Sequence, residues 1–331
     1  MLGERAIQNI LVTGASGKIG RNLVPALTKE GYRVRAVQFK TPVAFEGAEV
    51  VSGSVGDAAF VRRALQDMHA VCHLATSKED PEHFLDVSVR GTFNLLDAAR
   101  QSPSLKQFIL AGGDAALGIF YHENPQPLDE SAPLRAYPGY YAFSKVLEET
   151  MCNQYHVQYG LPVTILRFSW IQDEDDILAY MTLQEPNFGG PPWQELAVTP
   201  EQKAYFEQGL DGVGSLVHPG GGPYVRHIVG VQDVVGAFLR ALRCPEALGQ
   251  TFNIAAPEAF SYDVLSAYIA EKLDLPVVQF ELQGCFDFQI DIRKARSVLG
   301  YEPAYDVFRI VDEALGFRAS GRDRSVARYP G

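Results

Sequence analysis

Along the first half of the chain, short apolar runs alternate with segments of helical periodicity. The runs are Ile10–Thr13, Val34–Val37, Ala70–Leu74 and Phe108–Ala111, with Val163–Phe168 further on. Each is nearly continuous in hydrophobic residues, as strands covered on both faces of a sheet must be. Between them lie helix patterns over Arg21–Glu30, Ala58–Gln66, Thr92–Gln101 and Ala142–Tyr159. This alternation predicts an α/β fold with a doubly wound parallel sheet and crossover helices. The texture changes at Gln172: up to Tyr224 the chain is rich in Gly, Pro and acidic residues, with Lys203 its one lysine and no arginine. Pro200–Gln208 reads as a helix inside that stretch. Alternation resumes at Arg226 and ends in the amphipathic segment Val307–Phe317. The pattern thus divides the chain into a sheet domain (1–172 plus 226–256), a smaller lobe (173–225 and 257–318) and a tail (319–331) expected to be loose.

Composition narrows the function. In 331 residues, 47% are hydrophobic and 21% charged, as in an ordinary globular protein. Lys and Arg number 29 against 40 Asp and Glu, a net charge of −11, so neither a nucleic acid nor an anionic membrane surface is an expected partner. No apolar run is long enough to span a bilayer, and Ala6–Val12 runs into a glycine turn without a signal-peptide pattern. Cys72, Cys152, Cys244 and Cys285 are scattered and form no CxxC pair, which points to free thiols in a reducing cytoplasm. No HxH or HExxH spacing supports zinc. Asp173-Glu174-Asp175-Asp176 reads as a solvated loop, because consecutive side chains point apart, and no metal is expected.

Gly14-Ala15-Ser16-Gly17-Lys18-Ile19-Gly20 follows the first strand and opens the first helix. Glycines at this spacing allow a tight turn and close approach to a pyrophosphate, while the helix N-terminus offers unpaired N–H groups to the anion. The fold is therefore expected to be of Rossmann type, with NAD or NADP as cofactor. Gln38 stands at the end of the second strand, where a carboxylate would read the ribose 2′-hydroxyl of NAD. Gln38 would not repel a 2′-phosphate, and Arg35 and Lys40 are near in sequence, which tilts the reading towards NADP.

Tyr141 and Lys145 are four residues apart, on one helix face. An ammonium beside a phenol favours the phenolate and moves the tyrosine towards use as a general acid or base. With these residues the chain resembles the extended short-chain dehydrogenase/reductases, the NAD-dependent epimerase/dehydratase group. The resemblance covers nearly the whole chain: GxxGxxG at Gly14–Gly20, Ala70-Val71-Cys72-His73-Leu74-Ala75, Val87-Ser88-Val89-Arg90-Gly91-Thr92, Tyr141/Lys145 and Arg167. It continues through Arg226–Asp233, Phe252-Asn253-Ile254, and Asp291–Ala295 with Leu299-Gly300-Tyr301. It implies that Tyr141 exchanges a proton with substrate while Lys145 holds the nicotinamide ribose. It further implies a cofactor site built from Gly14, Ser16, Gly17, Lys18, Ile19, Gly20, Gln38, Ser54, Val55, Leu74, Ala75, Thr76, Lys145 and Phe168.

The departures from that family carry information. Its usual Ser or Thr at the end of the fifth strand falls on Gly113, and no hydroxyl residue occurs between Phe108 and Phe120. A backbone N–H, a water, Asp114, Thr76 or Ser77 would have to polarise the reacting oxygen instead, or catalysis is impaired. Asp114 stands where the family's sugar dehydratases carry the Asp of a Thr-Asp-Glu run, but Ala115 replaces the Glu, which disfavours dehydration. Asp114 is then a substrate ligand or proton donor, or a turn-capping carboxylate. Ser54 and Ser88 replace an Asp and an Asn. His73 reads as a packed residue. Arg226 matches one of the family's pyrophosphate-binding arginines, whereas Phe280–Gly284 lacks the second, and nine acidic residues lie between Asp173 and Asp211.

The expected substrate is accordingly a small polyhydroxy compound (sugar, sugar acid or polyol) whose alcohol and carbonyl forms are interconverted. Thr76, Gly113, Asp114, Tyr141, Trp193 and Arg226 would line its site, with Phe188 and Tyr224 as further aromatic wall or as plain core. The alternatives are a sugar or nucleotide-sugar epimerase with tightly bound NAD, and a non-catalytic dinucleotide-binding regulator. A homodimer paired through 92–101 and 142–159 is implied by the resemblance.

Overall fold

The computed structural model describes residues 7–124, 126–185 and 189–325; Phe188 and residues 326–331 of the tail lie outside them. The central sheet contains β1 (Asn9–Thr13), β2 (Arg33–Gln38), β3 (Ala48–Ser52), β4 (Ala70–His73), β5 (Gln107–Gly113), β6 (Val163–Phe168) and β7 (Gln250–Ile254). All pairings are parallel, in the order β7-β6-β5-β4-β1-β2-β3. The winding reverses between β1 and β4, which opens a crevice at the carboxyl ends of those strands. β5 and β6 are buried at every position, in keeping with their nearly continuous apolar runs. The edge strand β3, Ala-Glu-Val-Val-Ser, is partly exposed and for that reason lacks such a run.

The helices that bear on the site are α1 (Lys18–Lys29), α2 (Ala58–Ala64), α3 (Thr92–Arg100), α4 (Tyr140–Tyr159), α5 (Val231–Ala241) and α6 (Val307–Ala319). A second apolar core gathers Ile177, Trp193, Leu216, Tyr224, Tyr262, Phe280 and Val311. A helix over Pro200–Glu207 is opened by a capping box in which Thr199 and Gln202 satisfy each other's backbone N–H groups. Among the described residues no helix is long and apolar enough to cross a membrane.

Two expectations fail here for the same physical reason, long-range ion pairing. The acidic run is not a solvated loop: Asp175 and Asp176 are buried. Asp176 meets Lys18 at 2.5 Å and Arg324 at 2.6 Å, and Asp175 meets Arg318 at 3.0 Å and also Arg324. The tail, as far as it is described, is tied down by that same Arg324.

Candidate functional site

The glycine turn closes against the sheet. Gly14 has φ +67, and a Cβ there would come within 2.7 Å of the Ala75 backbone nitrogen. At Gly20 a Cβ would sit 2.5 Å from Ala15 Cα, so helix and strand approach as only glycine permits. Gly17 is different: its Cβ would meet only the Gly14 carbonyl, at 3.4 Å, and no side chain caps α1. An uncapped first turn of a long helix facing open space suits an anion. Lys18 turns sideways from it, donating to the Ile171 carbonyl at 3.0 Å besides its pair with Asp176.

The ends of β1 and β4 are joined by a hydroxyl–imidazole chain. Thr13 Oγ1 accepts the N–H groups of Leu74 and Ala75 and lies 2.8 Å from His73 Nδ1, and His73 Nε2 lies 2.9 Å from Thr92 Oγ1. Because Thr13 has its own proton left to give, Nδ1 accepts it and Nε2–H donates to Thr92. Burial, then Lys145, pushes the His73 pKa down to about 3, which keeps the ring neutral. His73 is a packed, structural residue.

On α4, Tyr141 and Lys145 converge over the end of β5. A Cβ on Gly113 would lie 3.7 Å from the Tyr141 phenolic oxygen and 3.8 Å from Lys145 Cγ, so the missing hydroxyl leaves a gap beside the phenol. Lys145 Nζ, 5.6 Å from the Tyr141 ring centre, donates to the Ala111 carbonyl at 3.0 Å and to Glu148 at 2.9 Å. Glu79 accepts the backbone N–H groups of Tyr140 (2.8 Å) and Tyr141 (3.3 Å) and so fixes the first turn that carries the phenol.

Lys78, next to Glu79, sets its ammonium 3.8 Å over the Tyr141 ring. Burial first, then the positive charges of Lys145 and Lys18, lower its pKa to about 7. Sequence reasoning missed Lys78, Glu79 and Glu148. The first two sit in a loop without pattern, and the third looks like any polar residue of a helix.

Asp114 begins a short helical turn directly after Gly113 and is buried. Ser169 Oγ lies 3.0 Å from its carboxylate and 2.8 Å from the His227 carbonyl. Ser169 is the donor in both contacts, and the Asp114 carboxylate is shut away from solvent. Burial accordingly raises the Asp114 pKa to about 6, against the pull of Arg226 and Ser169. Arg226 is buried with its guanidinium 3.9 Å over Trp170 and 4.8 Å over Phe120, and its Nε has no hydrogen-bond partner among the described residues.

Other expected site residues fall elsewhere. Trp193 is a core residue, its indole N–H given to the Tyr180 carbonyl at 2.8 Å and its ring against Phe280, so it walls no pocket. Tyr224 is likewise core, its hydroxyl donating to the Leu282 carbonyl. Thr76 donates to Glu148 at 3.1 Å and is not free to polarise a substrate oxygen. Arg35 pairs with Glu49 and binds the carbonyls of Ala64 and Gln66, away from the ribose position.

Gln38 lies at the end of β2, its amide donating to Ser52 and its oxygen accepting from Val43 N–H. Ser54 Oγ accepts from Gly56 N–H, and Val55 is buried against Gly91. Ser16 accepts from Arg21 through its carbonyl, and Ile19 packs on the main core. Phe168, beside Gly113 in register, stacks its ring on Phe238 in the core.

Residues 10–171 match the model of the NAD dependent epimerase/dehydratase family. The chain is 26% identical to a putative UDP-glucose 4-epimerase of Methanocaldococcus jannaschii over 90% of this chain and 94% of that protein. It is 28% identical to a UDP-glucose 4-epimerase of Mycolicibacterium smegmatis, covering 88% and 93%. A short-chain dehydrogenase/reductase superfamily protein from Agrobacterium tumefaciens, solved with bound NAD, superposes with a TM-score of 0.79 at 27% identity, covering 95% of this chain and 98% of that one.

Proposed function

We propose that the chain, matched over residues 10–171 by the model of the NAD-dependent epimerase/dehydratase family, is a member of that family and interconverts an alcohol and a carbonyl on a small polyhydroxy substrate. The observation that carries this reading is the convergence of the Tyr141 phenol and Lys145 over Gly113, with Asp114 next in the chain. Membership makes it an NAD-dependent enzyme, and the regulator alternative is set aside.

The residues fit a dinucleotide: an uncapped α1 N-terminus with open space at Gly17, and glycines elsewhere in the turn where a side chain would collide. Gly14, Ser16, Gly17, Lys18, Ile19 and Gly20 would hold the phosphates. Gln38 would hold the ribose, Ser54 and Val55 the adenine, and Leu74, Ala75, Thr76, Lys145 and Phe168 the nicotinamide half. When bound, the cofactor supplies a hydride acceptor or donor. With Arg35 engaged by Glu49, the second cation on which an NADP preference rested is gone, and NAD is the cofactor proposed.

In the oxidative direction Tyr141 takes the hydroxyl proton of substrate; in the reductive direction it returns that proton to the carbonyl oxygen. Asp114 and Arg226 orient the remaining hydroxyl or acid groups. Dimerisation is part of the proposal: Phe93 on α3 and Phe143 and Tyr159 on α4 are 48%, 47% and 54% exposed. A panel of sugars and sugar acids, followed by NADH absorbance and by product chromatography, tests the reading. Net NADH formation that falls about 10²-fold in Tyr141→Phe, with NAD binding retained, is the expected result. Undiminished turnover in that variant overturns it. Isomer formation without net NADH would favour the second reading, an epimerase, which the likeness to UDP-glucose 4-epimerases supports.

A further inference from the structure

Glu148 lies one helical step behind Lys145 and is 1% exposed. Its Oε2 accepts from Lys145 Nζ at 2.9 Å, and its Oε1 accepts from Thr76 at 3.1 Å. Thr76 in turn lies 3.2 Å from Ser88 Oγ, which also accepts the Ser77 N–H at 2.9 Å. The neighbouring Glu149 does something else: it pairs with Arg167 at 2.5 Å. Two of the three Lys145 donors are therefore fixed, one by a backbone carbonyl and one by a buried carboxylate, with Nζ 5.6 Å from the Tyr141 ring centre.

We propose that Glu148 is a positioning residue that anchors Lys145 and offsets its charge, so that the phenol of Tyr141 feels a neutral ion pair rather than a bare cation. The inference rests on Tyr141 as the proton carrier. The consequence is a tyrosine that keeps its proton to higher pH than a lone lysine neighbour would allow, which suits delivery of a proton to a carbonyl.

Among the described residues Glu148 is the carboxylate that Lys145 Nζ contacts, while Glu79 meets the backbone N–H groups of Tyr140 and Tyr141. From β4 comes His73, neutral; from the following loop Lys78; from the end of β5 Asp114; from α4 itself Cys152, whose thiol burial and both glutamates push up. Burial also raises the Glu148 carboxyl from its ordinary value, against the pull of Lys145, Thr76 and Ser88. The pair is held by geometry, with the Lys145 ammonium at 2.9 Å opposing the effect of burial on Glu148.

The test is a titration of the Tyr141 ring in cofactor-free protein carrying isotope-labelled tyrosine, the signal being assigned by its loss in Tyr141→Phe. Glu148→Gln keeps the shape and removes the negative charge. The Tyr141 midpoint is expected to fall by about one pH unit, with the acid limb of the activity profile moving the same way. A fall smaller than about half a unit overturns the proposal. If Glu148→Gln does not fold, the double variant Lys145→Met/Glu148→Gln removes both charges together and decides the question. A midpoint rise below about one unit supports a neutral pair, and a larger rise refutes it. The midpoint readings need no turnover, so they stand or fall separately from the Tyr141→Phe rate test of the proposed function.

Discussion

Gly113→Ser restores a hydroxyl beside Tyr141, and the backbone is ready for it. Gly113 has φ −158 and ψ 153, extended geometry that any residue adopts. The new Cβ would stand 3.7 Å from the phenolic oxygen, 3.8 Å from Lys145 Cγ and 3.9 Å from the Ala115 nitrogen, all ordinary contacts. A serine hydroxyl one bond further out reaches the region where a substrate oxygen must lie to exchange a proton with Tyr141. Removing one oxyanion donor from an active site typically costs about 10²–10³ in rate, or roughly 3–4 kcal/mol of barrier. Because Asp114 already sits close by, adding one is expected to raise kcat about tenfold, with KM little changed. Gly113→Ala is the control: it should add about 0.4–1 kcal/mol of stability by restricting the unfolded chain, and no rate. Steady-state NADH formation on whichever panel substrate is accepted, with urea denaturation alongside, measures both. A serine variant no faster than wild type, while the alanine variant is fully active, would refute the idea that a polarising hydroxyl is what the site lacks.

Two further outcomes follow from charge burial. The folded-state pKa of Asp114, about 6, exceeds its ordinary 3.8, so the native state binds the extra proton between those values and stability falls as pH rises through that window. Asp114→Asn should abolish about 3 kcal/mol of that slope, seen as a melting temperature that no longer drops from pH 4 to pH 7; an unchanged slope would place the titration elsewhere. Replacing Arg318 and Arg324 together by Ala removes the guanidinium partners of Asp175 and one of the two cations on Asp176, and should lower stability by about 2–4 kcal/mol in urea, a loss under about 0.5 kcal/mol counting against the buried pairing.

The sheet was legible because its strands are covered on both faces and interrupted by helices of plain periodicity; β3, polar at the edge, escaped, and β7, Gln-Thr-Phe-Asn-Ile, was reached only through the family resemblance. The glycine turn and the Tyr141/Lys145 pair were legible because both are local, fixed by spacing along one turn or one helix face. What escaped was set by partners distant in sequence. Nothing near Asp175 or Asp176 announces Arg318 and Arg324, and without them an acidic run reads as solvated. Trp193 could be pocket or core until its indole found the Tyr180 carbonyl. Glu148 and Glu149 are adjacent and identical in type, yet one serves Lys145 and the other Arg167, a division that only the packing of α4 on β4, β5 and β6 decides.

Asp176 holds Lys18 with one oxygen and Arg324 with the other. The glycine-turn end of α1 is therefore latched by a side chain that ribosomal synthesis delivers after every strand of the sheet. A nascent polypeptide released only as far as β7 has its glycine turn and Lys18 in place, while Asp176 still lacks Arg324 and Asp175 lacks both Arg318 and Arg324.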